Sequence, residues 1–287
     1  MVITVKKLAR IILIILLIAL IGLCGIELWS ISAVYLREAQ VKDGLSAYNP
    51  GELSNSADSR RSDGNRNGGT NSQASGIHES GATAGGFIGQ GPGGSSPQGE
   101  TTQNRLIINQ SIIDLQNEVN PSIAGWITVP GTHIDYPFVN CDNNDYYIGT
   151  DIYGNSASAG TLFTDSRCAT DFTDFNTIIY GHNMRNNTMF GDLPQFSDGW
   201  FFDNHQTGTL YTQYDTYTLE IFACLIVRSD DDVIYSPNIE EDAFFDYVQE
   251  HARTFREPDR SLSVVTLSTC GYEFTDARIV IIASLLP

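Results

Sequence analysis

Beyond Lys42 this 287-residue sequence contains no lysine, and its 16 basic residues face 34 acidic ones, a formal charge of −18. From residue 101 onward there are eight Arg and 26 Asp plus Glu, 8 − 26 = −18, so this part carries the entire excess. A body so poor in cations excludes nucleic acid as a partner. It should stay soluble behind a solvated acidic face. Metal-ligand patterns are also missing. The five cysteines, Cys24, Cys141, Cys168, Cys224 and Cys270, form no CxxC and no Cys/His spacing suited to zinc. The stretch DNND at 142–145 lacks the ligand spacing and closing Glu of a calcium loop, so neither a metal nor another cofactor is expected. Residues 43–104 have almost no aromatic or aliphatic content and cannot repay the entropy of ordering. They are expected to form a flexible tether, with a typical span of about 40–45 Å for a Gly-rich coil.

Long apolar runs, by contrast, occur once. Ile11 to Ile26 is uninterrupted by charge, and apolar character continues through Trp29, Ile31, Val34, Tyr35 and Leu36. This exceeds the roughly 20 residues that span a bilayer and is longer than the apolar region of a cleaved signal peptide. Residues 1–42 are therefore expected to hold a cytoplasmic N-terminus and an uncleaved transmembrane helix. Lys6, Lys7 and Arg10 before the span place the remaining chain outside the cell by the positive-inside preference.

From Arg105 the pattern becomes periodic, and 105–287 reads as one domain. Leu106 to Val119 favours a helix that stops before Pro121. Strands are expected at 123–129, 133–139, 160–165, 177–180, 207–214, 216–229, 261–269 and 277–286. A second helix is expected at 239–255, capped by Asn238, and the aromatic stretch at Phe196, Trp200 and Phe201 should cover a core. Eight strands with few helices predict a mainly β, closed or nearly closed barrel. Cys224 reads as a small buried hydrophobe. Cys141 and Cys168 sit at element ends, and an oxidising setting would allow them to pair. His78, His133, His205 and His251 read as surface or structural residues.

Chemistry concentrates at the C-terminal end. Cys270 closes the strand SLSVVTLSTC, Arg278 opens the strand ARIVIIASLL, and the connection GYEFTD is short enough for an antiparallel pair. His182 closes a third strand-like segment, NTIIYGH. A thiol, an imidazole and a guanidinium at strand ends suggest a nucleophile, an acid/base and an oxyanion partner. TLSTC with an arginine eight residues on, preceded by IIYGHNM, resembles the sortases, cysteine transpeptidases of Gram-positive surfaces. GWITVPGTHIDYPFV at 125–139, NDYYIGTDIYGNSASAGTLFTD at 144–165 and the helix before the cysteine strand are similar to class B in particular.

The resemblance implies that Cys270 attacks a Thr carbonyl in the C-terminal sorting signal of a surface protein. An amine of a peptidoglycan precursor or of another protein would resolve the thioacyl enzyme. His182 would act as general acid and base, Arg278 would stabilise the oxyanion or substrate, and Leu267, Ser268 and Thr269 would line the groove. A body without lysine offers no side-chain amine to its own acyl intermediate. Two alternatives stay open. One is a hydrolytic cysteine peptidase, although no papain-like CGSCW surrounds Cys270. The other is a non-catalytic tethered binding module.

Overall fold

A computed structural model describes residues 5–53 and 109–287. Helix α1 (Val5–Leu45) runs into a 3-10 turn at Ser46–Tyr48. Then follow α2 (Gln110–Glu118), β1 (Ile123–Thr128), β2 (Asp135–Val139), β3 (Leu162–Thr164) and β4 (Asn176–Tyr180). A 3-10 turn (Leu193–Ser197) leads to α3 (Gly199–Asn204), β5 (Thr207–Thr212) and β6 (Thr216–Arg228). The chain closes with α4 (Glu241–His251), β7 (Thr254–Phe255), β8 (Val264–Cys270) and β9 (Ala277–Leu286).

The strands lie in the order β5-β1-β2-β3-β4-β8-β9-β6-β7, and β5 also pairs with β6. That last pairing closes β1–β6, β8 and β9 into an eight-stranded barrel with no free edge. The two-residue β7 is an addition to β6 at Ala223 and Cys224. Strand β4 runs parallel to β8, and β8 antiparallel to β9.

Alternation sorts the side chains into an interior and two outer clusters. Val265, Leu267, Ile279, Ile281, Ala283 and Leu285 point into the barrel core. Val264, Val280 and Ile282, one residue out of phase, face outward beneath Phe244, Phe245 and Val248 of α4. On another outer face Ile112 and Leu115 of α2, with Leu45 of α1, cover Ile123, Trp126, Val139 and Phe163. In β6 the register shift between Ile221 and Ala223 exchanges the faces. Before it Leu219 and Ile221 point inward; after it Cys224 does, while Leu225 and Val227 face α4.

Several elements differ from expectation. Helix α4 is capped by Glu240, whose Oε2 accepts from Ala243 N at 2.7 Å, while Asn238 donates to Asp174 at 2.9 Å. It ends at His251 because the next residues pair as strand: Arg253 N donates to Cys224 O and Arg256 N to Phe222 O. Phe196 is buried and Phe201 packs against the core as expected, but Trp200 is 71 % exposed in the first turn of α3, and Phe202 is buried in its place. Cys141 and Cys168 are both free. Each thiol donates to a carbonyl of its own surroundings, Thr164 O and Asn176 O, and burial pushes both up to about 11.

At the N-terminal side, helix α1 continues past Lys42 to Leu45, and Asn49 is buried with its amide donating to both Asp135 oxygens at 2.9 and 3.1 Å. The first residues of the expected tether are therefore packed on the barrel. Residues 54–104 of that tether, and 106–108 of the helix expected from Leu106 to Val119, lie outside the described residues. Among the described residues no helix is long and apolar enough to cross a membrane.

Candidate active site

Strand direction brings the three chemistry-bearing residues to one end of the sheet. Tyr180 of β4 is in register with Ser268 of the parallel strand β8. His182 lies two residues past Tyr180, as Cys270 lies two past Ser268, so both leave the sheet at the same end. Gly181 N donates to Ser268 O at 3.1 Å, and Thr269 Oγ1 donates to Gly181 O at 2.7 Å, which ties the two strand ends together. No side chain fits at Gly181: a Cβ there would collide with Leu162 Cδ2 and come within 2.7 Å of the Phe190 ring.

On the other side Cys270 pairs directly with Arg278 of β9. Opposed residues of an antiparallel pair share a face, so thiol and guanidinium emerge together. Their face is the outer one, the face of Thr266, Ser268, Val280 and Ile282, at the barrel rim. The connection turns tightly, Gly271 N donating to Ala277 O at 2.8 Å. A Cβ on Gly271 would lie 3.2 Å from that of Ala277.

The side chains have distinct partners. His182 Nε2 donates to Ile148 O at 2.6 Å, in the loop after β2. A carbonyl only accepts, so Nε2 carries a hydrogen. Arg278 Nη1 donates to Ala277 O at 3.0 Å. Cys270 is half-buried, whereas Cys224 is fully buried in the barrel, where desolvation pushes its thiol up to about 11.

Sequence reasoning missed the residues around this trio. Asn183 Nδ2 donates to the Cys270 carbonyl at 2.8 Å, bridging the histidine segment to the cysteine strand. Its position directly after His182 was the available signal. Tyr235, from the loop before α4, shares a hydrogen bond with Ser268 Oγ at 2.9 Å. Its ring stacks on Tyr180 with centroids 6.0 Å apart. Tyr180 donates to Asp165 Oδ2 at 2.8 Å, and Arg167 holds the same carboxylate through Nε and Nη2. Burial acts to raise the Asp165 carboxyl, but the Arg167 and Tyr180 hydrogen bonds outweigh it and hold it below the usual range.

The expected groove residues are placed differently from one another. Leu267 points into the barrel, while Ser268 and Thr269 are buried by the hydrogen bonds just described. They fix the strand end and present no open wall. His133 is paired with Asp192 at 2.8 Å, and His205 and His251 each donate from Nδ1 to the carbonyl four residues back. These three are spread over other parts of the chain. Among the described residues no group of three His, Cys, Asp or Glu could hold a metal ion.

Comparison with known proteins gives one consistent result. A profile of the sortase domain matches residues 127–286. Sortase B of Listeria monocytogenes is 34 % identical over 186 residues, covering 62 % of this chain and 75 % of that protein. The crystal structure of Clostridium perfringens sortase B superposes with a TM-score of 0.57 at 31 % identity, over 61 % of this chain and 99 % of that one. A Streptococcus pyogenes class B sortase involved in pilus biogenesis superposes at 0.56 with 33 % identity, over 60 % and 96 %.

Proposed function

This chain belongs to the sortase family of cysteine transpeptidases, and from that premise we propose that Cys270, His182 and Arg278 carry out its transfer reaction on the C-terminal sorting signals of surface proteins. The observation that carries this reading is the convergence of three strand ends, with Cys270 opposite Arg278 and the His182 segment bound to the cysteine strand through Gly181 and Asn183. The Cys270 sulfur, its proton having passed to His182, attacks a Thr carbonyl as the thiolate and forms a C–S bond. The oxyanion that develops is met by the Arg278 guanidinium, whose planar fork and permanent charge suit a fixed acceptor. Collapse breaks the C–N bond, and His182 supplies the proton to the departing nitrogen. To do so the ring exchanges its Ile148 partner for the leaving group. An amine of a peptidoglycan precursor or of another protein then attacks the thioester, His182 takes the amine's proton, and collapse breaks the C–S bond and releases Cys270 as the thiolate.

The body is held at the outer face of the cell membrane by α1, whose N-terminal part is proposed to span the bilayer with Lys6, Lys7 and Arg10 inside. The unbroken run from Ile11 to Ile26 supports this, as does the exposure of Leu13, Ile15, Leu16, Leu17, Ile18, Leu20, Ile21 and Leu23 on every side of the helix. Such a helix, apolar all round, has lipid as its natural solvent.

The test is amine capture. With a Thr-containing sorting peptide, hydroxylamine should divert the product from acid to hydroxamate, and Cys270→Ala should abolish both products with the fold intact. Acid alone at every amine concentration would show a hydrolytic peptidase, and neither product would show a binding module.

A further inference from the structure

Away from the reaction centre, a cavity of about 340 Å³ lies between the C-terminal half of α1 and the barrel. That volume falls at the lower end of small-molecule sites, about 300–1,000 Å³. Trp126, Ile152, Leu162 and Met189 supply apolar wall. Glu38 and Tyr136 also line it, and three of their oxygens, Glu38 Oε1, Glu38 Oε2 and Tyr136 Oη, are buried and have no hydrogen-bond partner. The Met189 backbone lies near the phenol without meeting hydrogen-bond geometry. Both neighbouring cations are engaged elsewhere. Arg37 donates to Asp151 at 3.3 Å, and Lys42 donates to His133 O at 3.4 Å with its ammonium 4.5 Å from the Tyr136 ring centre.

A carboxylate sealed from water without a donor is strongly disfavoured, so this cavity is short of one cation. The missing group must supply several N–H donors to two carboxylate oxygens and a phenol oxygen. It must also carry a hydrocarbon portion for the indole and aliphatic wall. Of the three carboxylates in the lining, Asp135 is held by Asn49 and Trp126 and Asp151 by Arg37, so only Glu38 lacks a hydrogen-bond partner, and among the described residues they make no metal shell. We infer that this cavity is a second, non-catalytic site that binds a primary ammonium group on a short apolar chain. Binding would join α1 to the barrel, because Glu38 belongs to the helix and Tyr136 to β2.

The experiment is calorimetric titration of the full chain in nanodiscs with n-butylammonium chloride, no sorting peptide being present. Saturable one-to-one binding is expected, with a matching rise in melting temperature. Glu38→Gln should weaken it at least tenfold, and Tyr136→Phe several-fold. Cys270→Ala should leave it unchanged, which separates this site from the reaction centre. Butan-1-ol, of the same shape without the charge, should not bind. Hydroxylamine transfer by Glu38→Gln should match the parent protein, establishing that the variant is folded. The proposal is overturned by an absence of saturable binding to the parent chain, as a water-filled cavity would give. Equal affinity in Glu38→Gln, equal binding of butan-1-ol, or loss of binding in Cys270→Ala would overturn it too.

Discussion

Arg278 stands across the strand pair from Cys270, and the oxyanion role proposed for it depends on shape as much as charge. Arg278→Lys keeps the charge and loses the fork, so turnover should fall by about 10²–10³, the effect of removing one oxyanion donor. His182→Ala should be similarly damaging, while alanine at His133, His205 or His251 should leave single-turnover rates near the parent value. Asn183 sits one step back, its amide donating to the Cys270 carbonyl. Its replacement by Ala removes one hydrogen bond, worth about 0.5–1.5 kcal/mol. The expected outcome is a fall in kcat of up to about tenfold with KM little changed, beside a drop of a few degrees at most in melting temperature. Asp165 makes a different prediction, in stability. Its folded-state carboxyl is held below the usual range, so the folded protein binds that proton less readily than the unfolded chain does. Its contribution is fully present above the unfolded value of about 3.9 and is lost as pH falls through the lower folded value. Urea midpoints measured from pH 6 downward should therefore fall less steeply for Asp165→Asn than for the parent, and parallel curves would refute this. Exposure of Arg167 keeps the contribution modest.

Among the elements, β8 and β9 were the most legible, because β-branched alternation and a six-residue connection leave few other arrangements. The placement of Cys270 and Arg278 opposite one another was read from them, since strand ends are visible in a sequence. What was not legible came from contacts between distant segments. Nothing near Asn238 says that Asp174 will take its amide, leaving Glu240 to cap α4. Nothing near Arg253 says that β6 will claim its backbone and shorten the helix. Leu267 shows the same limit at the site: adjacency to the cysteine suggested a groove, but alternation sends it into the barrel. Tyr235 carried no local signal, for it reaches Ser268 only once α4 and its preceding loop have closed over the outer face. That closure depends on Phe244, which is fully buried with its ring edge-on to Phe175 at 5.3 Å and to Phe245 at 5.8 Å. Phe244→Ala should cost about 3–5 kcal/mol in urea unfolding. It should also lower transfer activity in whatever folded fraction remains, because Tyr235 loses its backing.

At the scale of the whole molecule, α1 is part of the body and not merely a leader to it. Leu45 is buried beside Ile112 and Trp126, and Tyr48 donates to Glu118 at 2.5 Å. A chain beginning at Thr101 should be soluble and folded, yet less stable than one beginning at Ala33 by at least about 1.5 kcal/mol, the lower end for burying one leucine. Equal denaturation midpoints would contradict the docking. The segment between is pinned on both sides, by Asn49 to Asp135 before it and by Asn109 to Thr212 and Asp215 after it. Replacing residues 54–105 with a short Gly-Ser link should accordingly leave transfer rates unchanged. With the proposed anchor, the body stands on a stilt rather than swinging on a leash. Forty-one residues of α1 rise about 60 Å, of which a bilayer takes about 30. The height of the reaction end above the lipid, and its compass heading, are then set by one rod. Adding a single residue to that rod between Ile26 and Leu36 would swing Cys270 about 100° around the membrane normal, towards different neighbours in the wall.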